Sequence, residues 1–71
     1  MSVQEIKRYI ENNIKPYKYR YELDQHTNQY YFILYNFSLK HCFIGIPKRI
    51  MKDEKLMKSK MNVLKIKYEN L

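Results

Sequence analysis

Tyr17-Lys18-Tyr19-Arg20-Tyr21-Glu22-Leu23-Asp24-Gln25-His26-Thr27-Asn28-Gln29-Tyr30-Tyr31-Phe32-Ile33-Leu34-Tyr35-Asn36-Phe37 is the stretch that decides the fold. At its start Tyr17, Tyr19, Tyr21 and Leu23 alternate with Lys18, Arg20, Glu22 and Asp24, the two-residue period that gathers the rings on one face of a strand. Asp24 to Asn28 is polar turn chemistry. Tyr30 to Phe37 is then apolar or aromatic at nearly every position, as a central strand with two faces to cover would be. A turn near Asn36 to Ser38 leads into Leu39 to Ile46, a third strand carrying Lys40, His41 and Cys42, so the pattern predicts a three-stranded meander.

Working outward, Ser2 and Glu5 have the spacing of a capping box, and Val3, Ile6, Ile10 and Ile14 recur at near-helical intervals. A first helix is predicted over residues 3 to 13, stopped by Pro16. Beyond the strands, Pro47 suits the first turn of a helix. Ile50, Met57, Met61 and Leu64 share one side of a 3.6-residue wheel, with Lys48, Lys52 and Lys55 opposite and Met51 off the core stripe. This predicts a second helix over residues 48 to 64, while 65 to 71 reads either as its frayed end or as a short strand. The order α-β-β-β-α is that of a two-layer α+β fold: one domain, residues 1–71, with a three-stranded antiparallel meander sheet and two helices on one face. The other sheet face is left open.

Seventy-one residues allow one hydrophobic core. Such a core seldom gives more than ~3–5 kcal/mol, which favours a bound partner or a homodimer. One cysteine and two histidines cannot form an internal disulfide or the usual four-ligand zinc site, and no cofactor or metal is expected. No apolar run reaches the ~20 residues of a membrane span and no secretory h-region opens the chain, so a cytoplasmic protein without membrane contact is expected. Fourteen Lys and Arg against seven acids give +7, which attracts nucleic acid or an acidic protein face. Eleven of the fourteen are Lys, beside much Asn, Ile and Tyr and no Ala or Trp, so an AT-rich coding sequence accounts for part of the excess.

Two candidate contact surfaces follow. Lys48, Arg49, Lys52, Lys55 and Lys58 crowd the second helix and its entry, where a cationic stripe would track a phosphate backbone; the competing reading is a plain solvated lysine face. On the central strand Tyr31, Ile33, Tyr35 and Phe37 share one face and Tyr30, Phe32 and Leu34 the other. Tyr30 and Phe32 are expected to supply stacking or partner contacts, unless the tail or a splayed helix covers them. His26 and His41 show no acid/base spacing, and Cys42 between apolar neighbours reads as a core thiol, so no catalytic residue is assigned.

The segment Gly45-Ile46-Pro47-Lys48-Arg49-Ile50-Met51-Lys52 resembles the start of the last helix in double-stranded-RNA-binding domains, whose element order and length are also similar. The resemblance implies that Lys48, Arg49 and Lys52 clamp phosphates across a groove. It departs from that pattern at Lys55, Leu56, Ser59 and Lys60, where small residues belong, and in a first hairpin loop that keeps only His26. The layout is similar to that of small toxin ribonucleases as well, and the style of sequence resembles small phage or mobile-element proteins, inhibitors of host defence complexes among them. The leading expectation is a non-enzymatic protein that engages nucleic acid or a nucleoprotein complex through the basic helix. The alternatives are a protein-binding inhibitor that uses exposed aromatics and, third, a small ribonuclease toxin.

Overall fold

In the computed structural model, which describes residues 1–71, the expected architecture is the one observed. Helix α1 (Val3–Tyr9) runs into a π-helical turn (Ile10–Ile14), followed by strands β1 (Lys18–Asp24), β2 (Gln29–Tyr35) and β3 (His41–Pro47), a 3-10 turn (Lys48–Ile50) and helix α2 (Glu54–Glu69). The strands form an antiparallel sheet in the order β1-β2-β3.

Local chemistry explains the limits of each element. The Ser2 hydroxyl accepts from the Glu5 N–H while the Glu5 carboxylate accepts from the Ser2 N–H, completing the capping box. At the other end Lys15 donates to the Ile10 carbonyl (2.8 Å) with a left-handed φ of 55°, and Pro16 blocks continuation. The first hairpin closes on Asp24, whose carboxylate accepts from the His26 and Thr27 N–H groups, with Asn28 at φ 56°. In the second turn Asn36 accepts from Ser38 and Lys40 and Leu39 takes φ 62°, so β2 ends at Tyr35 and β3 begins at His41.

Pairing register assigns the faces. Tyr19-Leu34-Cys42, Tyr21-Phe32-Ile44 and Leu23-Tyr30-Ile46 are rows across the helix side; Tyr19 and the β2 and β3 members join Ile6, Ile10, Met57, Met61 and Leu64 in the core and its margin, while Tyr21 and Leu23 stay exposed. Lys18-Tyr35-His41, Arg20-Ile33-Phe43 and Glu22-Tyr31-Gly45 are rows on the other side.

The second helix departs from expectation at both ends. It starts at Glu54 because Asp53 is its N-cap, accepting from the Leu56 N–H at 3.1 Å. Lys48 instead donates its N–H to the Asn28 carbonyl (3.1 Å), and the turn that follows drops Met51 into the core. Met51 is therefore a core residue, supplied by the turn and not by the helical wheel. At its far end α2 runs to Glu69, so most of the 65–71 tail is helix.

Candidate functional site

The predicted basic stripe does not form as one row. Lys48 and Arg49 lie in the 3-10 turn, Lys52 in the link, and Lys55 and Lys58 on α2, all exposed. The segment that resembles a double-stranded-RNA-binding helix start is here the end of a strand and a 3-10 turn, so Lys48, Arg49 and Lys52 precede the helix they were expected to open. Phe32, expected as an exposed contact, is corrected outright: it is 0% exposed at the centre of the core. Tyr30 shares its side of the sheet and is half-buried at the margin, where the Lys48 ammonium stands 5.6 Å from its ring centroid.

A second set of rings stands one residue along, on the face away from the helices, where Tyr31 and Tyr35 are half-buried like Tyr30, while the exposed Tyr21 stays on the helix side. Phe43 there is 54% exposed, 6.5 Å from Tyr31 between ring centroids. Tyr31 lies over Gly45: a Cβ on that glycine would come within 2.9 Å of the Tyr31 ring and of the Gln29 Oε1. Tyr35 stands 5.7 Å from the His41 ring, and its hydroxyl accepts from the Arg20 Nε at 3.2 Å. Lys18 reaches to 5.1 Å from the Tyr35 ring, and Lys67 comes round from α2 to 5.9 Å from the Phe43 ring, donating to the Phe43 carbonyl at 3.3 Å. Two of the rings are thus bordered by cations, Tyr35 by Lys18 and Arg20 and Phe43 by Lys67, while Tyr31 has Glu22 as its neighbour on β1.

How the positive charge is held matters more than its total. The one ion pair is Arg20–Glu22 at 4.0 Å, open to solvent and therefore weak. Four lysines instead sit over rings: Lys7 on Tyr21 (4.3 Å), Lys18 on Tyr35, Lys48 on Tyr30 and Lys67 on Phe43. Significant pairs of this kind occur about once per 70–80 residues. A ring attracts a cation without cancelling its charge, so these ammonium groups keep theirs for an anion.

The remaining chemistry-bearing residues are scattered. His26 lies at the turn end of β1 and β2 and His41 at the opposite end of the sheet, separated by the length of β2, roughly 20 Å, so the two cannot act on one substrate atom. Cys42 is buried, and desolvation pushes its thiol above the ordinary range. No three His, Cys, Asp or Glu side chains converge to hold a metal ion, and no helix is long and apolar enough to cross a membrane. Comparison with known proteins gives no match: no family model fits the chain, and no curated protein or solved structure is significantly similar to it.

The signal for the open face was present in the strands that flank β2. The Asp24–Asn28 turn pairs Asp24 with Gln29, which sets Arg20 beside Ile33 and Glu22 beside Tyr31. The charged half of β1 therefore shares a side with Tyr31, Ile33 and Tyr35, and water-facing charge marks the side that stays open. Lys67 had no such signal, because only the packing of α2 brings it to Phe43.

Proposed function

We propose that this protein binds single-stranded nucleic acid on the open face of its sheet, without catalysing a reaction. Bases stack on Tyr31, Tyr35 and Phe43 while Lys18, Arg20 and Lys67 take the phosphates. The observation that carries this reading is the gathering of Tyr31, Tyr35 and Phe43 on one strand face, with Lys18 and Arg20 at Tyr35 and Lys67 reaching Phe43 from α2. Duplexes hide their base faces, whereas unpaired bases can lie flat on aromatic side chains. Nucleic acid, free or within a nucleoprotein complex, thus remains the proposed partner, but the contact moves from Lys48–Lys58 to the sheet. The cations of that segment contribute at long range, by raising the local concentration of a polyanion.

Titration of labelled single-stranded RNA, single-stranded DNA and duplexes over a range of salt tests this. Three phosphate contacts give a slope of about −2 in log affinity against log salt for a single strand. Tyr31→Ala and Phe43→Ala should each lose about 1–3 kcal/mol of binding, the worth of one stacked base, and only the roughly 0.2–1 kcal/mol of stability that a cross-strand pair contributes. Preference for duplex, or loss of binding in Lys52→Glu/Lys55→Glu with both ring variants unaffected, would return the site to the basic segment. Absence of salt-dependent binding would favour a protein target for the aromatic face.

A further inference from the structure

The outer face of α2 was expected to be a cationic stripe; Lys55 and Lys58 are exposed, but an apolar row runs between its lysines. Leu56, Ser59, Val63 and Ile66 follow one another at intervals of three, four and three residues along the helix, turned away from Met57, Met61 and Leu64. Leu56, Val63 and Ile66 are 46%, 41% and 48% exposed. Single apolar residues on a surface need no explanation, but a row at the a and d spacing of a coiled coil is the pattern that receives another helix. The row spans about 15 Å, roughly three helical turns. Ser59 at its middle lets a second backbone come close.

We infer that this row is a docking seam for an amphipathic helix of an acidic protein partner. The flanks supply the charge argument. Lys60 borders the row on one side and Lys55 on the other, with Asn62 and Glu69 further along, while Lys67 is directed to Phe43. Glu or Asp beside the partner's apolar seam would meet Lys55 and Lys60, as e and g charges do in paired helices. A second copy of the chain fits worse. Parallel pairing sets Lys55 against the copy's Lys60; antiparallel pairing allows Lys55 to meet the copy's Glu69 but brings the Lys60 and Lys67 edges together, and each copy carries +7. The seam lies on the helix layer, on the other side of the molecule from the open sheet face, and is independent of the nucleic-acid reading.

The test uses the whole chain and a labelled synthetic amphipathic helix with Leu and Ile at a and d and Glu at e and g, beside a twin with Lys for every Glu. Fluorescence anisotropy should show binding of the acidic peptide and none of the basic twin. Val63→Glu should weaken the acidic peptide at least about tenfold, or 1.4 kcal/mol, with the helical circular-dichroism signal intact; Val63→Ser, which adds no charge, should weaken it in the same direction. Lys55→Glu/Lys60→Glu should reverse the preference toward the basic twin. Equal binding of both peptides, no binding of the acidic one, or indifference to the Val63 variants would overturn the inference. So would a native dimer that Val63→Glu converts to monomer, which would assign the seam to a second copy.

Discussion

Tyr31 and Phe32 are neighbours in sequence and opposites in consequence. Phe32 fills the centre of the core, and truncating such a side chain costs about 3–5 kcal/mol, as much as a domain of this size has to lose. Phe32→Ala should therefore be largely unfolded by circular dichroism, whereas Tyr31→Ala should stay folded, losing only its contacts with Gly45 and Phe43, and fail in binding. The aromatic alternation in β2 was legible in the sequence, but the covered side was not read from β2 alone, since a shift of one residue exchanges the two faces. Leu39 offers a separate check. It holds φ 62° with most of its side chain in water, a conformation that costs a non-glycine residue roughly 1–2 kcal/mol. After the extra chain entropy of glycine is deducted, Leu39→Gly should gain about 0.5–1 kcal/mol, visible as a higher urea midpoint.

At the scale of elements, β1 is tied to the N-terminal helical segment by Tyr19, whose hydroxyl donates to the Glu11 carboxylate. Desolvation first, and this hydrogen bond second, push the Tyr19 phenol up to about 12. A group whose value is raised in the folded protein contributes stability that is fully present below its unfolded value, about 10, and is lost as pH climbs through 12. The difference in urea midpoint between the parent and Tyr19→Phe should accordingly be constant up to about pH 10 and shrink between 10 and 12; a difference that did not change over that window would remove Tyr19 from the link. Whatever else alkali does to the fold it does to both proteins, which is why the difference is the quantity to follow. The first helix, the hairpins and the existence of α2 followed from spacing and turn residues. The start of α2 did not, because Pro47 and Asp53 are both good starting signals and the choice between them rests on Met51 reaching the core and Lys48 bonding to the first hairpin, contacts distant in sequence.

Over the whole molecule, two layers present two different surfaces. The sheet shows rings among cations, and the helix layer shows an apolar row between lysines. Net charge was legible from composition, but its distribution needed the fold: a count of Lys over residues 48 to 67 suggests one cationic face, while the actual start of α2 divides those residues among a turn, two flanks of a helix and the edge of the sheet. Aromatic proton–carbon correlation spectra recorded while a single-stranded oligonucleotide is added report binding of unpaired bases on the sheet ring by ring. The ring signals of Tyr31, Tyr35 and Phe43 should move upfield as bases stack on them, with Phe32 in the core unmoved. Shifts confined to residues Lys48 to Lys58, or rings on the open face that do not respond at saturating oligonucleotide, would contradict it.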